Sequence, residues 1–206
     1  MGPSEFDSSD EEPTEVEVTQ FEVSWLSLEP VQYAVILGIS PLPGCKFKDI
    51  RRNLLQNIEE IRELGIQDVF VFCTLAELKM YRVPTLLQEY SKQDVVVHHY
   101  PFLDGNVPQM DECLRVLEDL KTCMDNSRRT LIHCYGGLGR SCLIAACLLM
   151  HLNESVTSQE AISLVRAVRG PGAIQTIKQY NFINEFRENV TTCPSSSDEN
   201  NRALSR

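Results

Sequence analysis

Thr130-Leu131-Ile132-His133-Cys134-Tyr135-Gly136-Gly137-Leu138-Gly139-Arg140-Ser141 leads without a break into the apolar run Cys142 to Leu152. The first three residues read as a short buried strand, and the apolar run is long enough for a buried helix. Cys134 therefore falls at a strand end, in a loop that opens a helix. Three glycines let that loop adopt backbone conformations closed to other residues, so that successive N–H groups can converge on an anion. The helix beginning near Arg140 adds unpaired N–H groups and the positive end of its dipole.

The residue types in this stretch suit one chemistry. The amides and helix end that favour a phosphate dianion also favour a thiolate, which makes Cys134 a nucleophile. Arg140, six positions later, offers a planar fork for two phosphoryl oxygens, where lysine would offer a point charge. Tyr135, Gly136, Gly137, Leu138 and Gly139 supply the backbone of the cradle. Ser141 is placed to hydrogen-bond the departing thiolate, and His133 to orient the loop through its ring nitrogens rather than to take a proton. A buried structural thiol is the usual fate of a free cysteine. The company of His133, Arg140, Ser141 and three glycines argues against that fate for Cys134.

Outward from this stretch, strand-like and helix-like segments alternate. Residues 33–39, 68–73, 95–100 and 130–133 are short apolar or β-branched runs, and Phe21 to Leu28 offers another. Ile50, Leu54, Ile58, Ile61 and Leu64 mark one helical face ahead of Gly65, and Met110, Cys113, Leu114, Leu117 and Leu120 mark a second. Thr157-Ser158-Gln159-Glu160 reads as a capping box before a third. Gly170-Pro171-Gly172 ends that helix, and a last one carries Ile177, Tyr180, Ile183 and Phe186. The pattern predicts a single α/β domain with a mainly parallel central sheet flanked by helices, its cysteine at the carboxyl end of a strand. The domain is expected over residues 21–193, between a disordered acidic tail at 1–20 and a disordered polar tail at 194–206. Ser8 and Ser9, ahead of three acids, are candidate phosphorylation sites.

The H-C-x5-R-S run from His133 to Ser141 resembles the signature of the cysteine-dependent protein phosphatases, and its surroundings resemble their dual-specificity branch. The runs Leu42 to Asp49 and Gly172 to Asn181, with the acidic Ser8 to Pro13, narrow the resemblance to members that inhibit cyclin-dependent kinases. It spans most of residues 20 to 190. It implies a two-step reaction through a phosphocysteine, with no metal or other cofactor. It also implies an aspartic acid on a mobile loop some thirty residues before the nucleophile. Asp104, in Pro101-Phe102-Leu103-Asp104-Gly105-Asn106, lies 30 positions before Cys134, and Asp111 is the alternative. Gln175 and Gln179 resemble a glutamine motif that positions water. As a pair four apart they also suit a solvated helix face, since Ile174, Ile177 and Phe186 are expected to face inward.

The resemblance implies as substrate the phosphothreonine in the activation segment of a phosphorylated cyclin-dependent kinase. Lys178, Tyr180 and Asn184 on the last helix are the expected docking residues. A phosphotyrosine or lipid phosphatase is the alternative enzyme, and a kinase-binding inhibitor without catalysis the alternative of another class. The loop interior holds no Lys or Arg, which disfavours polyanionic inositol phosphates.

Composition closes off other classes. A formal charge of −10 over 206 residues argues against nucleic-acid and anionic-membrane surfaces, which demand a cationic face. No apolar run reaches the length of a membrane span. Eight cysteines without paired zinc-ligand spacing suit a reducing compartment, the cytoplasm or the nuclear or perinuclear region. Cys73, Cys113, Cys123, Cys142 and Cys147 fall at core-like positions. His98 and His99 alternate faces on a β-like run, and no cysteine or carboxylate is expected to complete a metal set around them. A monomer is expected.

Overall fold

In the computed structural model, residues 18–34 and 36–192 are described. The expected acidic tail, apart from residues 18–20, and the expected polar tail lie outside these residues, as do Ser8 and Ser9. Five strands form one sheet: β1 (Ser24–Ser27), β2 (Ile36–Ser40), β3 (Asp68–Val71), β4 (Val96–His99) and β5 (Thr130–His133). Their order is β1-β2-β5-β3-β4. Only the β1–β2 pair is antiparallel; β2–β5, β3–β5 and β3–β4 are parallel. The mainly parallel sheet is therefore present, closed at one edge by an antiparallel strand.

Period-two alternation divides the sheet between two layers of helices. Phe70 and Ile132 face one side, where they pack with α4 (Met110–Asp125), α5 (Arg140–Leu152), α6 (Ser158–Arg169) and α7 (Ile177–Thr192). Val69, Val71 and Leu131 face the other, against α1 (Leu54–Glu63), α2 (Leu75–Met80) and α3 (Leu86–Lys92). Helix α5 is buried continuously from Arg140 to Met150, as its unbroken apolar run requires. The α6 capping box forms as predicted, with Thr157 and Glu160 each satisfying the other's backbone N–H.

Two features differ from the sequence reading. Helices α2 and α3 occupy a stretch to which no helix was assigned; at 6 and 7 residues they are too short to show a repeating apolar face. Ile50 precedes α1 rather than lying on it, because the side chain of Asn53 accepts from Gln56 N–H and starts the helix there.

The register places the site. Central β5 pairs its last residue, His133, with Ser40 on one side and Val71 on the other. The parallel strands therefore end level, and the segments that follow β2, β3, β4 and β5 meet at one rim.

Candidate active site

Cys134, 2% exposed, is the first residue past β5. The loop behind it, Tyr135 to Gly139, has its carbonyl groups satisfied from outside. Tyr135 O accepts from Leu42 N–H (2.9 Å) and Leu138 O from Ile174 N–H (2.8 Å). Arg169 supplies the middle of the loop, Nη2 to Gly136 O (3.1 Å) and Nε to Gly137 O (3.0 Å). None of the N–H groups of residues 135–139 donates to another protein group among the described residues. Outward carbonyls held by the fold and a run of uncommitted N–H groups define an anion nest.

Gly137 is required by space, and Gly139 lies close against two side-chain amides. Gly137 has φ +66°, and a β-carbon there would collide with the carbonyl of Ser40. At Gly139 a β-carbon would stand 2.8 Å from Gln175 Oε1 and 3.2 Å from Gln179 Nε2.

Arg140 opens α5 and is fully buried. Its Nη1 donates to Phe72 O (3.0 Å), Phe102 O (2.8 Å) and Glu77 Oε2 (2.9 Å), and its Nη2 to Glu77 Oε1 (2.7 Å). Asp104 Oδ1 lies 3.2 Å from the same Nη2. Burial works against the guanidinium charge, but the Glu77 carboxylate together with the nearby Cys73 and Cys134 sulfurs offsets it and holds Arg140 above its ordinary value. Burial likewise works against the Glu77 carboxylate. Hydrogen bonds from Arg140 and from Thr74 N–H keep it below the usual range. Among the described residues, the buried side-chain polar atoms without a hydrogen-bond partner are Arg140 Nε, Ser141 Oγ and His133 Nδ1. All three belong to the nine residues that sequence singles out.

Tyr90 O–H meets His133 Nε2 at 3.0 Å. Burial pushes the imidazole down to about 3, so it is neutral near pH 7 and orients the loop without carrying charge. The Ser141 hydroxyl, expected to donate to the departing sulfur, is buried without a hydrogen-bond partner. Asp104 is brought to the loop with its side chain 54% exposed. Asp111 is carried away on α4, where its carboxylate accepts from Arg115 Nη2 at 3.1 Å.

On α7, Ile183 and Phe186 face inward as expected, but its first turn differs. Ile177, expected inward, is 80% exposed, and Gln179 is fully buried. Gln179 Oε1 accepts from Gln175 N–H (2.9 Å) and its Nε2 reaches Asn106 O (3.4 Å). Polar groups of the phosphate and acid loops meet the first turn of the helix, while Ile183 and Phe186 pack on the apolar core further along. Lys178 Nζ donates to Asn106 Oδ1 (3.1 Å). Tyr180 O–H accepts from Gln159 Nε2 (2.8 Å), and Asn184 Oδ1 from Ser158 Oγ (2.7 Å), so both lean toward α6.

Sequence reasoning missed Glu77 and Arg169. The Thr74-Leu75-Ala76-Glu77 capping box, formed in full, was the available signal for Glu77. Arg169 closes α6 and had none. The reading of His98 is also corrected. Asp68 and Cys123 join it with donor atoms all within 4.8 Å, because β3 lies beside β4 and α4 carries Cys123 to the same place. His98 Nε2 meets Asp68 Oδ1 at 2.9 Å, and the guanidinium of Arg128 grips the other carboxylate oxygen. An arginine matches the carboxylate's charge there, at the far end of the sheet from Cys134. The expected core cysteines 73, 113, 123, 142 and 147 are all buried. Among the described residues no helix is long and apolar enough to cross a membrane.

Residues 1–162 match the family model described as cyclin-dependent kinase inhibitor 3. The chain is 55% identical over 203 residues to cyclin-dependent kinase inhibitor 3 of Rattus norvegicus, covering 98% of this chain and 96% of that protein. It is 54% identical over 203 residues to the Homo sapiens protein of that name, with 98% and 96% covered. A crystal structure of kinase associated phosphatase, bearing serine at its catalytic-site cysteine, superposes with a TM-score of 0.83 at 51% identity, covering 86% of this chain and 99% of that one. The active form of Tk-PTP gives 0.62 at 28% identity, covering 74% and 91%.

Proposed function

The chain belongs to the cyclin-dependent kinase inhibitor 3 family, and from that premise we propose that it is a dual-specificity cysteine phosphatase that removes phosphate from a threonine in a cyclin-dependent kinase. One observation carries the catalytic part of this reading. The loop following Cys134 turns its carbonyls into the fold and leaves five N–H groups uncommitted, beside an Arg140 Nε that is buried without a partner. Such a cluster of donors is costly to bury unless an anion collects them.

In the first step the Cys134 sulfur attacks phosphorus. An S–P bond forms, the P–O ester bond breaks, and the leaving threonine oxygen takes its proton from Asp104. In the second step water attacks the same phosphorus, gives a proton to Asp104, and breaks the S–P bond to release inorganic phosphate and the thiolate. Arg140 Nε and the loop N–H groups stabilise charge on the non-bridging oxygens, each donor contributing about 3 kcal/mol in comparable sites. Glu77 fixes the guanidinium through Nη1 and Nη2, and so keeps Nε directed at the ligand. Ser141 is the donor that eases departure of the sulfur. A threonine alkoxide is a far poorer leaving group than a phenoxide, which is why the acid loop must be well placed.

The kinase docks on the exposed side of α7, where Ile177 and Tyr180 are among the exposed large apolar side chains and Lys178 and Asn184 supply polar contacts. Leu103, 64% exposed on the acid loop, extends that surface to the rim of the site.

The test is a Cys134→Ser protein against a phosphothreonine-bearing cyclin-dependent kinase, with and without cyclin. Binding should persist while dephosphorylation stops. Undiminished dephosphorylation would overturn the nucleophile assignment, and a wild-type protein that binds but never turns over would establish a pure inhibitor instead.

A further inference from the structure

The loop bearing Asp104 is held on both flanks. On the upstream side, Arg140 Nη1 bonds Phe102 O at 2.8 Å. Downstream, Thr176 Oγ1 donates to Gly105 O at 2.9 Å, while Lys178 and Gln179 reach Asn106. Thr176 lies just ahead of α7, and its hydroxyl oxygen also accepts from Gln179 N–H at 3.2 Å. One hydroxyl therefore caps the helix with its lone pair and clasps the acid loop with its proton.

The clasp is itself fixed to the phosphate loop. Ile174 holds φ +65°, a left-handed conformation that is costly for a β-branched residue. It donates its N–H to Leu138 O at 2.8 Å. Strain of this kind persists only where surrounding contacts over-determine it. The chain from Leu138 through Ile174 and Thr176 to Gly105 is thus a continuous bonded path from the phosphate cradle to the residue after Asp104.

From this path we infer that Thr176 is a positioning residue for proton delivery. It sets the height of Asp104 over the cradle without touching substrate, and Lys178 assists through Asn106. The inference rests on Asp104 being the proton donor. Misplacing a catalytic group by about an ångström can cost two orders of magnitude, and that loss falls only on substrates whose leaving group needs protonation.

The test uses the full chain and two small substrates that need no kinase docking: a phosphothreonine peptide and an aryl phosphate with an electron-poor phenol. Thr176→Val should lower turnover of the peptide about tenfold and leave the aryl ester within about twofold. Thr176→Ser keeps the hydroxyl and should keep both rates. Equal losses on both substrates, or none on the peptide, overturn the inference. Asp104→Asn, assayed alongside, separates the two levels of the argument. Should it show no dependence on leaving group, the acid assignment itself fails. Should it show that dependence while Thr176→Val does not, only the positioning role falls. If Thr176→Val does not fold, Thr176→Ala decides by the same ratio: a peptide-selective loss supports the clasp, and unchanged ratios overturn it.

Discussion

Glu77 holds Arg140 through both carboxylate oxygens, at 2.7 and 2.9 Å, although the two residues are 63 positions apart. The same carboxylate caps α2 by accepting from Thr74 N–H at 2.8 Å. A six-residue helix is thereby tied to the phosphate cradle by a fully buried arginine. The pair sets which face of the guanidinium remains for a ligand.

Removing Glu77 should damage stability and activity together. Glu77→Ala strands a buried guanidinium, which costs about 3 kcal/mol, read as a drop in urea midpoint at pH 7. Its carboxyl is held below the usual range in the fold, so the pair's stabilisation is present above the unfolded carboxyl pKa and is lost as pH falls through the lower folded one. The gap between wild type and variant should therefore narrow below about pH 4. A constant gap from pH 7 to pH 3 would show that Glu77 contributes packing and not charge.

Gly137 should tolerate no side chain. Alanine in its left-handed conformation costs about 1–2 kcal/mol, and its β-carbon would also meet the carbonyl of Ser40 and stand 2.9 Å from Arg169 Nη2. Gly137→Ala should lower kcat/KM on a small aryl phosphate by about a hundredfold through displaced loop amides. The protein should remain folded by circular dichroism, since the distortion is local to the rim.

The strand, loop and helix from Thr130 to Leu152 are legible in sequence because three local signals coincide there: an apolar strand, clustered glycines and an apolar run. The capping box at Thr157 is read for the same reason. Glu77 escaped because its importance comes from a residue 63 positions away, and only the short capping motif betrays its helix. The first turn of α7 escaped because apolar spacing is a poor guide where a helix end packs on polar loops. Ile177 is turned out and Gln179 turned in by hydrogen bonds with Gln175 and Asn106. Ile50 was drawn into α1 by its spacing, whereas the Asn53 cap decides where that helix begins.

Arg169 should matter to catalysis without approaching phosphate. Three of its nitrogens are spent on Gly136 O, Gly137 O and Ser24 Oγ, and, with the Cys142 thiol at Gly137 O, it keeps two loop carbonyls facing away from the nest. Arg169→Ala should reduce affinity for inorganic phosphate about tenfold, in line with about 1.4 kcal/mol lost from a displaced cradle. Arg169→Lys should recover only part of it, because a single ammonium cannot span two carbonyls as a fork does. Phosphate inhibition constants for the two variants check this, and full recovery by lysine would refute the geometric account.

His133 should make folding sensitive to mild acid. Burial depresses its folded value to about 3, against about 6.5 for a free imidazole. Between these two values the unfolded chain binds a proton that the folded one refuses, so stability is fully present above the unfolded value and falls as pH drops through this window. The slope from this residue is up to about 1.4 kcal/mol per pH unit. Comparing urea unfolding of wild type and His133→Asn from pH 7 to pH 5 isolates it, because carboxylates contribute equally to both. The wild type should lose stability faster by up to that slope, and parallel curves would mean that the imidazole is protonated within the fold, against its burial beside Tyr90 and Arg140.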